Sequence, residues 1–221
     1  MTAPTPPAAP PARKPATAQR LIGTLGGFGA LAGLLIVSVF TATQPRIRAN
    51  KAAALAAAIN EVLAAPERYD TLYVTADALS RTLPAGANAE TAEVVYLGWQ
   101  GDTPVGYAIV ANGSGFQDNI RLLFGFDPAR SQLIGMKVLE SKETPGLGDK
   151  IYKDAEFVAQ FTQVRAPLVG VKEGQGEGLP TELVMITGAT ISSRALIKAI
   201  NTTLERVGPL LTAYAAQEPQ P

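Results

Sequence analysis

The sequence contains no cysteine and no histidine in its 221 residues. Their joint absence excludes structural zinc sites, Cys-ligated iron–sulfur clusters, His-ligated haem, Ser-His-Asp triads and Cys-His nucleophiles. Disulfides are excluded too, so cysteine usage says nothing about compartment. Net charge is also missing: 19 basic side chains balance 19 acidic ones. Nucleic-acid binding therefore has no electrostatic footprint here. The carboxylates form no convincing pair for two-acid hydrolysis. "GQGEGLP" (174–180) lacks the Gly-Lys-Ser/Thr ending of a phosphate loop and reads as a flexible surface loop. No Ser-x-x-Lys pattern stands at a helix start. Any redox chemistry must come from an organic cofactor.

What is present begins with "MTAPTPPAAPPARKPATAQR" (1–20), a Pro/Ala-rich segment that cannot bury a core and reads as a disordered cytoplasmic tail. No charged residue then occurs from Leu21 through Pro45. A bilayer core needs about 20 apolar residues in a helix, so 21–43 reads as one transmembrane helix. A cleaved signal peptide would have a shorter apolar core. Gly23, Gly27, Gly29 and Gly33 are spaced for close packing against another membrane helix, or are simply tolerated there. Basic residues flank both ends, Arg13, Lys14 and Arg20 before and Arg46, Arg48 and Lys51 after. The short leading tail favours the cytoplasm, which puts residues 44–221 outside as one domain.

Within that domain, "IRANKAAALAAAINEVLAA" predicts a helix ending near Pro66. "AEVVYLGWQG", two strands joined across "NGSG", and "QLIGMKVLES" follow with a period near two. Helical periodicity returns at Ser193, with Leu196, Ile200, Leu204 and Val207 on one face. Helices segregated from a run of strands predict an α+β domain with a mainly antiparallel sheet.

Two stretches stand out. "SKETPGLGDKIYKD" (141–154) is a turn after a strand, in which Asp149 or Thr144 would cap "KIYKDAEFVAQF". Capping leaves unexplained Leu147, exposed between Gly146 and Gly148, a shape suited to covering a flat ring. "TGATISS" (187–193) gathers Thr187, Thr190, Ser192 and Ser193 where a helix begins. One hydroxyl suffices as an N-cap; the free N–H groups and helix dipole there also favour a phosphate. Gly188 and Ala189 are small enough for a bulky group to approach the backbone.

Together, "KETPGLGDKI" and "TGATISSRALIKAI" resemble the paired signatures of the FMN-binding domain in the G subunit of the membrane Rnf electron-transport complex (RnfG). The related NqrC subunit of the sodium-pumping NADH:quinone reductase is similar in its "GAT" segment. The resemblance runs from Leu21 to the C-terminus. It implies an FMN-binding domain behind one membrane anchor, in the inner (cytoplasmic) membrane with the domain on the periplasmic side. It implies FMN attached by a phosphoester to Thr190, placed there by a separate flavin transferase using FAD. Thr187 and Ser192 would hydrogen-bond the phosphodiester beside Gly188 and Ala189. Glu143 to Gly148, with Thr144 and Gly146 among them, would lie against the isoalloxazine with Leu147 on its face, and Lys150 would offer charge to a reduced, anionic ring. The chain would be a redox subunit, not catalytic alone, working with other membrane subunits that couple electron flow between ferredoxin and NAD to ion movement. One residue departs from the pattern: Val184 stands where the family usually has an aspartate, six residues before the threonine. That leaves open a subunit of this or an NqrC-like complex that keeps the fold and carries no flavin.

Overall fold

The computed structural model describes residues 17–89 and 91–217. Of the expected tail, residues 1–16 lie outside that range, and Ala18–Arg20 are already helical. Helix α1 spans Ala18–Val62 and passes through Pro45, where the sequence reading begins a second helix. Proline removes one hydrogen bond of the helix ladder; the apolar run before it and the Ala-rich run after it both favour helix. The segment up to Lys51 forms one compact unit and Ala52–Pro221 another. In the first, Leu25, Phe28 and Ile36 are at least 70% exposed, and the helix is long and apolar enough to cross a membrane.

The second unit is built on a six-stranded antiparallel sheet in the order β2-β1-β3-β4-β5-β6. The strands are β1 (Arg68–Val74), β2 (Leu79–Ser80), β3 (Val94–Gln100), β4 (Thr103–Ser114), β5 (Asn119–Asp127) and β6 (Gln132–Glu140). Alternation of side chains in a strand feeds two separate cores. On β5, Leu122, Phe124 and Phe126 join the larger core with helix α4 (Thr190–Gln217), while Leu123 faces the other side. There it meets Ala58, Ile59, Val62 and Leu63 at the end of α1. Leu196, Ile200, Leu204 and Val207 of α4 are buried, as their spacing predicts.

Several local expectations shift. The β4–β5 turn is not "NGSG": β4 runs on through Asn112, Gly113 and Ser114, paired to Arg121, Ile120 and Asn119. The turn is Gly115–Asp118 instead. Gly113 is there for space, because a Cβ would stand 2.8 Å from the Ala195 carbonyl oxygen and 3.0 Å from Ala199 Cβ of α4. "KIYKDAEFVAQF" breaks into α2 (Lys150–Lys153) and α3 (Ala155–Ala159). Asp154 caps α3, accepting from the N–H groups of Glu156 and Phe157 at 3.0 and 3.1 Å, whereas neither Asp149 nor Thr144 caps α2 through its side chain. Helix α4 starts at Thr190, three residues before Ser193. A parallel pair, β7 (Val169–Val171) and β8 (Glu182–Val184), forms a second small sheet. The loop between them, 174–180, is exposed yet organised: Glu182 Oε2 accepts from the N–H groups of Glu177, Gly178 and Leu179.

Candidate functional site

Helix α4 begins where the β6–α2 loop and the β4–β5 turn converge. The three segments wall a cleft of about 330 Å³, lined by Phe116, Glu143, Thr144, Leu147 and Gly148 on one side and by Gly188–Ser192 on the other. The two sequence motifs meet directly: Leu147 Cδ2 lies 4.0 Å from where a Cβ on Gly188 would stand. Gly188 has φ +85°, a conformation that a side chain disfavours, and it turns the chain into the helix.

The four hydroxyls have four distinct settings. Ser193, fully buried, donates to the Ala189 carbonyl at 3.0 Å and accepts from the Ile186 N–H at 3.2 Å, so it ties the entering loop to the first turn. Ser192, also buried, donates to Glu143 Oε2 at 2.5 Å. Thr187 is exposed and makes no hydrogen bond among the described residues. Thr190 is half-buried at the first helical position, and its Oγ1 reaches the Ile186 carbonyl only at 3.4 Å. Thr190 is thus the hydroxyl that is both in the cleft and weakly engaged. Beside it the N–H groups of Thr190, Ile191 and Ser192, the first of the helix, have no acceptor within the helix.

Glu143 is 5% exposed. Its Oε1 accepts from the Gln117 N–H at 3.0 Å. Burial pushes this carboxyl up, but the Ser192 hydroxyl and the backbone N–H groups of Gln117, Phe116 and Asp118 together outweigh it and hold Glu143 below its ordinary value. Across the loop, Thr144 Oγ1 donates to the Gln117 side-chain oxygen at 3.2 Å. Asp149, 3% exposed, accepts from Lys153 Nζ at 2.6 Å and from the Gly146 N–H at 2.7 Å. The Lys153 bond is the main cause that keeps Asp149 low.

Of the residues singled out in the sequence, Glu143, Thr144, Leu147, Gly188, Ala189, Thr190 and Ser192 line the cleft. Gly146 stands behind it, in the loop that Asp149 fixes. Thr187 lies outside the lining, and Lys150 is exposed on α2 and is not part of it. Two wall residues were missed: Phe116, 68% exposed, and Ile191, 52% exposed. With Leu147, also 52% exposed, they give the cleft three apolar side chains open to solvent. The signal for Phe116 was a lone aromatic in the polar turn "GFQD".

Residues 115–205 match the FMN-binding domain family, which takes in every wall of the cleft. The chain is 31% identical over 189 residues to the G subunit of the ion-translocating oxidoreductase complex of Erwinia tasmaniensis, covering 81% of this chain and 85% of that one. It belongs to this G-subunit family. The G subunit from Methanosarcina acetivorans is 28% identical over 192 residues, covering 85% of this chain and 93% of the relative. In fold, the chain is similar to the crystal structure of Shewanella oneidensis NqrC, with a TM-score of 0.63 over 75% of this chain and 99% of that one, at 16% identity. The membership agrees with the antiparallel sheet, the flanking helices and the long apolar α1. The cleft fits a flavin mononucleotide in kind: apolar side chains for a flat ring and, at the start of α4, unpaired helix N–H groups for a phosphate. Its one carboxylate does not oppose the phosphate as a bare acceptor, since both Glu143 oxygens already receive hydrogen bonds.

Proposed function

We propose that the cleft holds FMN joined through its phosphate to Thr190, and that the chain works as the membrane-anchored electron carrier of an Rnf-type complex. The observation that supports this most is the placement of Thr190, a weakly engaged hydroxyl at the first turn of α4 and opposite Leu147. A phosphate on Thr190 would lie at the positive end of a 28-residue helix. The Ser192 hydrogen is committed to Glu143, so the N–H groups of the first turn are the donors that remain for the phosphate. Phe116, Leu147 and Ile191 would exclude water from the ring and fix its plane. When bound, FMN supplies electron transfer in single steps or in pairs.

Attachment requires a flavin transferase and FAD. The Thr190 oxygen loses its proton and bonds to the phosphorus of the FMN half, and AMP leaves. Helix α1 anchors the chain once in the cytoplasmic membrane, with the domain on the periplasmic side, where a lost FMN would not be replaced. The other membrane subunits would couple electron flow between ferredoxin and NAD to ion movement.

A second reading, a subunit that keeps the fold without flavin, draws on Val184. It replaces the usual aspartate, is 40% exposed, and its backbone is clipped by Gln160, which accepts from the Val184 N–H at 2.6 Å and donates to its carbonyl at 3.2 Å. Co-production with a flavin transferase separates the two. Ultraviolet fluorescence of the denatured chain on a gel is expected for the parent and is expected to vanish in Thr190→Ala. A fluorescent Thr190→Ala would move the tether elsewhere, and a dark parent would favour the flavin-free reading.

A further inference from the structure

Among the described residues, no cation is paired with the Glu143 carboxylate. Among the described residues its partners are all neutral donors: the Ser192 hydroxyl and the backbone N–H groups of the β4–β5 turn. Of the nearest basic neighbours along the chain, Lys142 pairs with Asp118 at 3.1 Å and Lys137 with Glu61 at 2.9 Å, and Lys150 is exposed on α2, outside the cleft lining. Neutral donors stabilise the ionised form without cancelling its charge. The wall of the cleft therefore carries one fixed negative charge, buried where water screens it poorly.

The surrounding chain is shaped to this group. A Cβ on Gly148 would lie 2.6 Å from Glu143 Oε2 and 3.0 Å from Ser192 Oγ, and a Cβ on Gly115 would collide with Glu143 Oε1. Two glycines, one from each of the facing loops, thus leave room for the carboxylate between them. It also joins the Gln117 turn to Ser192 on α4, and so ties together the segments that carry Phe116 and Thr190.

We infer that Glu143 is a positioning and potential-setting residue for the flavin: it locks the three cleft walls together and its uncompensated charge holds the flavin's reduction potential low. The inference rests on the cleft being the FMN site. Two electrons and one proton convert the oxidised ring to its anionic reduced form, which adds one negative charge to the ring. A fixed carboxylate in the wall opposes that gain, so the oxidised form is favoured.

The test uses the full chain, co-produced with a flavin transferase, in detergent, with flavin load read by intact mass and midpoint potential by spectroscopic redox titration. Glu143→Gln keeps the shape and removes the charge; its midpoint is expected to rise. Ser192→Ala keeps the charge and removes its strongest neutral donor, so its midpoint is expected to fall. Opposite signs distinguish charge from scaffold, because a merely loosened cleft would shift both variants the same way or neither. Loaded variants that both match the parent, or that move together, would overturn the inference. Should Glu143→Gln fail to fold, Ser192→Ala decides alone: a lower midpoint supports the inference, and an unchanged or higher one refutes it. A parent that carries no flavin by mass fails the site reading instead, which is a separate outcome.

Discussion

At the residue scale, the first turn of α4 assigns each hydroxyl a separate task, and its chemistry follows from who already holds each hydrogen. Ser193 closes the loop, Ser192 holds Glu143, and Thr190 is left weakly bound in the cleft. Glu143 gives this arrangement a pH dependence. Its folded pKa lies below the ordinary value of 4.5, so its contribution to stability is full above that pH and is lost as pH falls through the lowered value. Urea unfolding of the full chain between pH 6 and 3 should show the parent losing stability below about pH 4.5. Glu143→Gln should begin less stable and lose less over the same range; an equal loss in both would show that other carboxylates carry the effect. Gly148→Ala tests the space around the same group. With a Cβ 2.6 Å from Glu143 Oε2, it should destabilise by about 1–3 kcal/mol, the usual cost of forcing a group into a packed site. A thermal or urea midpoint equal to the parent's would mean that the loop yields freely.

At the scale of elements, what the sequence disclosed tracked the strength of its periodicity. Strands β3 to β6 and helix α4 place clear alternating or helical patterns on a buried face, and all were legible. Strand β1, "RYDTLYV", is half-exposed with little alternation, and β7 and β8 are three residues each, too short to carry a pattern. The β4–β5 turn was misplaced because Asn and Gly are the usual turn residues, whereas here Gly113 serves the approach of α4. Its tertiary role predicts that Gly113→Val costs about 1–3 kcal/mol by overpacking against Ala195 and Ala199. A neutral change in urea midpoint would mean that α4 can slide. The site was legible as two motifs, but not as a cleft. The bond that joins them, Ser192 to Glu143, spans 49 positions and leaves no local trace. Asp154, likewise hidden in a longer helical reading, should cost about 1 kcal/mol on replacement by Ala through loss of the α3 cap.

At the scale of the whole molecule, the chain combines an apolar helix long enough to cross a membrane with a domain built on two cores. The end of α1 past Ala52 belongs to the second core through Ala58, Ile59 and Val62, joined by Leu63 just after the helix. Removing residues 1–43 should therefore release the domain from membranes while keeping those contacts, and the full chain should resist an alkaline wash; release of the intact chain by that wash would contradict a spanning α1. The proposed electron-carrying role stands on a single proposed covalent bond at Thr190. The most direct measurement is the intact mass of the chain purified after co-production with a flavin transferase, followed by fragmentation of the Thr190 peptide. The expected result is an increase equal to FMN minus water, localised to Thr190 and absent from Thr190→Ala. A mass equal to that of the unmodified polypeptide, or an increment on another residue, would contradict it.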